Sequence, residues 1–234
     1  ADALSKALAK VRGTLVGWLN SDDCYTPGAI RRAATAMQKN PDWMLCYGWG
    51  QHIDAEGDYI NDYPTLPDPY ADQPVVPPVH LFQQRCFICQ PSVFFKAMMP
   101  RLLGLLDQSL GAAFDFDYWL RAFNAFPGRI GFVPAVQAQS RLHDASITQI
   151  QRRRVALEGM QVLARHLGNA PGHWVHTYLK EQLQQGGNPQ RLKADLEDLL
   201  NKAQPLMQAL EWQGLRNAIR RRLVQENTSK QTSP

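Results

Sequence analysis

The sequence predicts an α/β domain over residues 1–150, an all-helical region over residues 151–225 and a flexible tail over residues 226–234. Two observations carry this prediction. Helical and strand-like segments alternate near the amino end, which is typical of a sheet with helices packed against it. Beyond Ser146 the apolar residues recur only with helical spacing. The composition, 44% hydrophobic and 20% charged, is that of an ordinary globular chain.

The first fifty residues set the order of the elements. Ala1 to Val11 has an amphipathic helical pattern, and Thr14 to Leu19 is an apolar run of the kind found in strands buried on both faces. Pro27 suits the first turn of a helix that runs to about Lys39, and Met44 to Tyr47 is the next predicted strand. Because Ala1 lies inside an uncapped helical pattern, we expect that an upstream segment is missing.

The same rules predict the later elements. We expect strands at Ser92 to Phe95 and Ile130 to Val133, and helices at Asp115 to Phe123, Val155 to His166, Trp174 to Gln184 and Leu192 to Leu210, the last broken near Pro205. Six prolines between Tyr63 and Pro78 exclude a regular helix or a central strand. That stretch is either a functional loop or a disordered insertion.

Composition and charge limit the class of protein. The sequence contains no apolar run of about 18 residues and no leader pattern, so we expect a cytoplasmic protein. The four cysteines are too few and too scattered for a disulfide framework. The net charge of +4 includes arginine runs at 152–154 and 220–222, which fit solvated helix faces or attraction to nucleic acid or to anionic lipid at the inner face of the membrane. We expect no nucleic-acid partner.

Two carboxylates follow the first predicted strand. Asp22 and Asp23 lie where open α/β sheets bind ligands, at the carboxyl end of a strand. Adjacent carboxylates repel each other unless a cation lies beside them, so a divalent metal with a diphosphate is one interpretation. The other is a helix cap supplied by Asp23 or Thr26 ahead of Pro27. The spacing alone leaves both open.

A second acidic segment opens an aromatic-rich helix. Apolar neighbours raise the pKa of a carboxylate and make it a better base at neutral pH, so Asp115 or Asp117 is a candidate general base. A favourable position near the helix dipole is the alternative role, and it suits Asp117. Arg141 and His143 form a third group, which suits phosphate and metal binding.

Two weaker patterns are assigned no metal. Cys86 and Cys89 have the spacing of half a zinc site, but the sequence has no second pair, so burial as small apolar residues is favoured. His173 and His176 likewise lack partners.

These segments resemble the family 2 glycosyltransferases, which have the GT-A fold, a mixed sheet flanked by helices. The resemblance rests on residues 1–13, 18–23, 90–95, 115–121 and 141–143, in that order, and covers about residues 1–150. It implies metal-dependent, inverting transfer of a sugar from a nucleotide-diphosphate sugar to the hydroxyl of a carbohydrate or lipid-linked acceptor. The implied cofactor is a divalent cation, Mg²⁺ or Mn²⁺.

The resemblance places the general base on Asp115 and the metal on Asp23 and His143. Asn20 stands where many members have an acid, and Phe114 replaces the acid that precedes the base. The substrate-binding positions of the family fall on five residues: Ser21, Asp22, Gln90, Ser92 and Arg141.

The first strands of the family, which grip the nucleobase, would lie before Ala1. We therefore expect this chain alone to bind nucleotide sugar poorly and to be inactive. Two rival functions remain. One is a non-catalytic fragment or a peripheral membrane or binding module that uses the Arg-rich helical tail. The other is a metal-dependent phosphohydrolase, which would release free phosphate.

Overall fold

The computed structural model describes residues 1–67, 78–143, 150–184 and 189–231. The chain folds as two compact units, residues 1–150 and 151–234. Most of the proline-rich stretch, residues 68–77, lies outside the described residues, so the predicted loop function is not addressed there. Within the described ranges, every helix is too short or too polar to span a bilayer.

The amino-terminal unit contains a six-stranded sheet with helices around it. The strands are β1 (Leu15–Gly17), β2 (Cys24–Tyr25), β3 (Leu45–Ile53), β4 (Tyr59–Asp62), β5 (Phe94–Lys96) and β6 (Ile130–Arg141). The helices are α1 (Asp2–Leu8), α2 (Ala29–Lys39), α3 (Met99–Leu103) and α4 (Phe114–Ala125), with 3₁₀ turns at Pro78–Gln83 and Gln90–Ser92.

The sheet is mixed, with strand order β1-β5-β3-β6-β2 and β4 paired to the end of β3. β3 and β6 run parallel, from Leu45 opposite Ile130 to Ile53 opposite Arg141. The remaining pairings are antiparallel. A parallel pair needs a long crossover, and the chain between β3 and β6 supplies it with α3 and α4. The predicted fold class, a mixed sheet flanked by helices, is confirmed.

β1 lies at one end of the strand order. Val16 is its only buried residue, so the prediction of a strand buried on both faces is wrong. A short apolar run does not distinguish an edge strand from a central one. Gly17 is required by close packing, because a Cβ there would lie 2.5 Å from the Tyr25 hydroxyl oxygen and 2.8 Å from a ring carbon of Phe94.

The sequence pattern gives no prediction for β2, β4 and α3. β2 has two residues and α3 has five, which is too short for a periodic signal. All four side chains of β4 are exposed, so its sequence has no apolar alternation.

An aromatic core fixes α4 within the amino-terminal unit. Trp119 is fully buried, and the rings of Phe116 and Phe123 lie 5.7 Å and 5.0 Å from the ring of Phe82. Phe82 in turn stacks on Phe87 at 4.3 Å. These contacts hold the amino end of α4, and the acids it carries, in a defined position.

The carboxyl-terminal unit is helical. Its helices are α5 (Arg152–Leu167), α6 (His173–Gln184), α7 (Pro189–Ala203) and α8 (Ala209–Gln231). A 3₁₀ turn at Gln204–Leu206 separates α7 from α8 where Pro205 predicts a break. Helix α8 continues through residues 226–231, where the sequence predicts a flexible tail; no glycine or proline interrupts the chain between Leu215 and Gln231.

The arginine run at 152–154 is engaged in ion pairs within this unit. The pairs join Arg152 to Glu181 at 3.4 Å, Arg153 to Asp195 at 2.7 Å and to Asp198, and Arg154 to Glu158 at 2.6 Å. This run therefore links helices α5, α6 and α7. The run at 220–222 is exposed.

Candidate active site

The residues that follow β1 are held by a network of side-chain hydrogen bonds. The buried Trp18 donates from Nε1 to Asn20 Oδ1 at 3.1 Å. Asn20 donates from Nδ2 to Asp23 Oδ2 at 3.0 Å and to Gln90 Oε1 at 2.8 Å. Gln90 returns a bond from Nε2 to the Trp18 carbonyl at 2.7 Å. Asn20 thus orients its neighbours, and Gln90 is bound to the strand end from 70 residues away.

Asp23 is buried, with 8% of its surface exposed. Its Oδ1 accepts from the Arg141 backbone N–H at 2.9 Å, and its Oδ2 accepts from Asn20. Burial raises the pKa of the carboxyl, and the hydrogen bonds from Arg141 and Asn20 act in the opposite direction. Both oxygens of Asp23 therefore already hold donors, and the residue joins the end of β6 to the segment after β1.

Asp22 is the accessible acid of the pair. Its side chain is 38% exposed, and Oδ2 lies 3.1 Å from Nε2 of His143, which is 29% exposed. Arg141 supports this segment through its backbone contacts, because Nε donates to the Asp22 carbonyl at 3.0 Å and Nη1 donates to the Asp54 carbonyl at 2.7 Å. A carboxylate and an imidazole thus meet at the surface of this site.

Asp115 lies in the first turn of α4. Its Oδ1 accepts from the backbone N–H of Phe116 at 2.7 Å, and burial raises the pKa of the carboxyl to about 6. Its charge contributes to the raised pKa values of Tyr63 and of Cys86, after burial in both cases, so both side chains lie near it. The environment enclosing Asp115 favours the protonated carboxyl.

A pair of stacked rings brings the two acidic segments together. Phe114 stacks on Trp18 with ring centroids 5.7 Å apart and planes inclined by 12°, and Trp119 lies 6.1 Å from Trp18. The amino end of α4 therefore packs directly against the end of β1. Asp115 follows one ring of the stack, and Asp22 lies four residues beyond the other.

Comparison with known proteins finds similarity to glycosyltransferases in this unit. The model of the family described as "Glycosyl transferase family 2" matches residues 1–96. An uncharacterized glycosyltransferase of Rickettsia typhi is 29% identical over 153 residues, which are 62% of this chain and 45% of that protein. One of Rickettsia conorii is 26% identical over 146 residues, or 60% of this chain and 23% of that protein.

Over residues 1–96 the chain is therefore similar to the family 2 glycosyltransferases. It spans less than half the length of these relatives. Among solved structures, S. aureus TarS 1–349 in complex with UDP-GlcNAc resembles it distantly, with a TM-score of 0.48 and 11% identity over 93% of this chain and 70% of that one. The same protein in complex with UDP has a TM-score of 0.46 and 12% identity, with the same coverage.

The glycosyltransferase family's substrate-binding positions have unequal access to a ligand here. Ser21 is exposed and Asp22 is accessible, whereas Ser92 is fully buried and its hydroxyl donates to the Cys89 carbonyl at 2.7 Å. The structure gives Ser92 a structural role, against the predicted contact with substrate, because its hydroxyl closes the 3₁₀ turn that positions Gln90. The predicted substrate contact of Arg141 competes with the backbone carbonyls that its guanidinium already binds.

Asp117 pairs with a cation instead of depending on the helix dipole alone. It is 2% exposed, and its Oδ2 accepts from Nε of Arg121 at 2.8 Å. Arg121 also donates to the carbonyls of Leu103 at 2.8 Å and Leu105 at 3.0 Å. Asp117 and Arg121 together hold the segment that leads into α4.

Sequence reasoning missed the neighbours of Asp115. The Tyr63 hydroxyl donates to the Cys86 carbonyl at 3.1 Å, and burial raises the pKa of the Cys86 thiol to about 12. Cys89 is buried, as predicted for a small apolar residue, and packs so closely on Gly50 that a Cβ there would lie 2.2 Å from its Sγ. The predicted strand ends at Tyr47, before Gly50, so no sequence pattern indicated this contact.

Within the described part of the chain, no group of three or more His, Cys, Asp and Glu side chains that could hold a metal ion occurs. A cation at Asp22 and His143 would need further ligands from its substrate.

Proposed function

We propose that the amino-terminal unit carries the catalytic centre of a nucleotide-sugar-dependent, inverting glycosyltransferase, with Asp115 as the general base. The observation that carries the proposal is the carboxyl of Asp115, with its pKa raised to about 6, at a helix end that packs against the acids after β1. A base of that pKa is ionised at neutral pH and still accepts a proton readily.

The donor binds at the segment after β1. Asp22 and His143 are the exposed groups there, and Ser21 lies beside them. Asn20, Asp23 and Gln90 form the support of this segment, because Asn20 donates to both Asp23 and Gln90. This division differs from the family's assignment, which gives the metal to Asp23 and the nucleotide to Asp22.

A divalent cation, Mg²⁺ or Mn²⁺, fits this arrangement as the cofactor. Mg²⁺ in proteins is bound through one or two carboxylates together with substrate phosphates, which matches a site that offers Asp22 and His143. When bound, the cation neutralises charge on the departing diphosphate.

The proton transfer follows from the position of Asp115. The acceptor hydroxyl gives its proton to the carboxylate of Asp115 as its oxygen forms a bond to the anomeric carbon of the sugar. The bond from that carbon to the diphosphate oxygen breaks, and the nucleoside diphosphate leaves with the electron pair. Attack from the face opposite the leaving group inverts the configuration. The acceptor is a carbohydrate or a lipid-linked sugar.

The test is Asp115→Asn in the full-length protein. We expect the turnover number for sugar transfer to fall roughly 10²–10⁴-fold, because the amide cannot accept the proton, while the dissociation constant of the nucleotide sugar stays the same. Asp42→Asn, at an exposed acid outside the site, is the matched control and should retain full turnover.

Equal losses in turnover and donor binding would show that Asp115 is not the base. Release of inorganic phosphate instead of a glycosylated product would favour the phosphohydrolase. A reaction that proceeds with retained anomeric configuration would exclude direct attack by the acceptor.

A non-catalytic role of the Arg-rich tail is a second candidate. Arg220, Arg221 and Arg222 remain exposed on α8, whereas the run at 152–154 is bound to acids. If this candidate is right, Arg221→Glu removes binding to anionic vesicles and leaves sugar transfer unchanged.

A further inference from the structure

The segment from Met98 to Leu105 exposes a cluster of large apolar side chains. Met98, Leu102 and Leu105 are 49%, 57% and 43% exposed. Their neighbours Met99 and Leu106 are buried, at 0% and 3%. The segment therefore has an inner face that packs on the unit and an outer apolar face in water. Scattered exposed apolar residues are ordinary, but several within eight residues indicate a contact surface.

The outer face borders a basic cavity. A cavity of about 510 Å³ is lined by Met98 and by the cations of Arg12, Lys96 and Arg101. Its lining includes no carboxylate. Arg12 and Arg101 are exposed, whereas the ammonium of Lys96 donates to the Pro41 carbonyl. Arg12 and Arg101 thus carry positive charge directly beside the exposed methionine.

The segment is held firmly in place. The guanidinium of Arg121 donates to the carbonyls of Leu103 and Leu105, and Gly104 between them has a φ of 80°, a conformation that favours glycine. The apolar side chains are therefore presented on a fixed backbone, which lowers the entropic cost of ordering the segment when it binds.

We propose that Met98, Leu102 and Leu105, with Arg12 and Arg101, form a surface that rests on an anionic phospholipid bilayer. The apolar side chains enter the region between headgroups and acyl chains, and the guanidinium groups bind lipid phosphates. Two features favour a lipid partner. Nucleic acid offers no hydrocarbon for three exposed apolar side chains, and the cations match the phosphate layer that lies directly above the hydrocarbon.

This surface lies close to the helix that carries the acids. Arg121 binds Leu103 and Leu105 with one end of its guanidinium and Asp117 of α4 with the other. If the proposed function holds, a bilayer at this surface would bring a lipid-linked acceptor near α4, the helix that carries Asp115. Lipid binding itself does not depend on that function.

The experiment is co-sedimentation of the full chain with phosphatidylcholine vesicles, with and without phosphatidylglycerol, at low and at high salt. We expect binding to the anionic vesicles that weakens with salt. Arg101→Glu should lower the partition coefficient roughly tenfold or more, since each cation near the surface contributes about fivefold. Met98→Ser with Leu102→Ser should lower it at both salt concentrations, because the loss is apolar.

Matched controls use the other unit. Leu210→Ser alters a side chain that is 83% exposed, and Arg221→Glu reverses an exposed cation of α8; both should bind as the parent does. All altered positions are exposed, and circular dichroism checks that each variant is folded. No binding by the parent, unchanged binding by the first two variants, or loss of binding only in Arg221→Glu would overturn the proposal.

A dimer of the parent that Leu102→Ser dissociates, measured by light scattering without vesicles, would also overturn it and identify a protein interface. Vesicle binding needs no sugar transfer, so its failure leaves the proposed catalytic function standing.

Discussion

In both acidic pairs, the one after β1 and the one at the start of α4, the two carboxylates have different surroundings. In each pair one carboxylate is buried and held by hydrogen bonds: Asp23 by the Arg141 backbone and Asn20, and Asp117 by the Arg121 guanidinium. The other carboxylate has a different kind of partner: Asp22 lies beside the His143 imidazole, and Asp115 accepts from the backbone N–H of Phe116.

The two remaining carboxylates differ in their surroundings. Asp22 is open to solvent beside His143, whereas Asp115 is half-buried and its pKa is raised to about 6. Exposure suits an ionised ligand for a cation, and burial that raises the pKa suits a group that exchanges a proton near neutral pH. The surroundings of an aspartate, and not its residue type, therefore decide whether it suits ligand binding or proton transfer.

The largest expected effect is on the buried partner in α4. Asp117→Ala should lower the free energy of unfolding by about 3–5 kcal/mol, because it breaks a buried ion pair and leaves the Arg121 guanidinium without its carboxylate. Urea unfolding of the chain measures this. Asp42→Ala, at an exposed acid, should change it by less than about 0.5 kcal/mol. A change below about 1 kcal/mol for Asp117→Ala would show that Asp117 does not stabilise the fold through its ion pair with Arg121.

The pH dependence of transfer is the next largest effect. With the pKa of Asp115 at about 6, kcat/KM of the full-length protein should fall about tenfold for each pH unit below that value, or roughly 100-fold at pH 4. The protonated carboxyl cannot accept the acceptor's proton. Circular dichroism at each pH confirms that the protein stays folded. A profile that is flat down to pH 4 would contradict Asp115 as the titrating base.

Removing the acids after β1 should have unequal consequences for stability. Asp23→Ala leaves the Arg141 N–H and the Asn20 amide without their acceptor, so the free energy of unfolding should fall by about 1–3 kcal/mol. Asp22→Ala, at the exposed position, should stay within about 0.5 kcal/mol. Thermal unfolding compares the two variants directly. Equal losses would show that Asp22 is as much a structural acid as Asp23.

The smallest expected effect is a gain in stability. The pKa of Asp115 rises from 3.8 to about 6 on folding, so the folded state favours the proton and this group destabilises the fold as pH rises from about 4 to about 6. Asp115→Asn should therefore raise the free energy of unfolding at pH 7 by about 1 kcal/mol, after allowance for partial exposure, and change little at pH 3.

Melting temperatures of parent and variant at both pH values test this. A loss of stability at pH 7 would mean that the hydrogen bond from the Phe116 N–H to Asp115 outweighs the cost of burial.

The sequence predicts those parts of the fold that show apolar periodicity or a marked composition. α2, α4 and the first half of β3 follow from apolar spacing, and the break at Pro205 follows from the missing N–H. The signals fail for β2 and β4, since a two-residue strand and a fully exposed strand have no pattern of burial to read.

The sequence likewise predicts only part of the candidate site. Asp22, Asp23, Asp115 and His143 can be chosen from the sequence, because acids after a strand and at a helix start have recognisable positions. The sequence does not indicate which of these residues supports the fold and which is accessible to a ligand. Ser92 and Gln90 are two residues apart, yet one hydroxyl is buried in a turn and one amide reaches the end of β1.

By itself, the sequence determined the class of fold, the order of its main elements and the short segments that carry the acids, since each of these is written in local spacing. The tertiary structure alone decided that Phe114 stacks on Trp18, that Asp23 and Asp117 are bound to partners, and that burial raises the pKa of Asp115. Burial and hydrogen-bond partners come from segments distant along the chain, so no local pattern contains them.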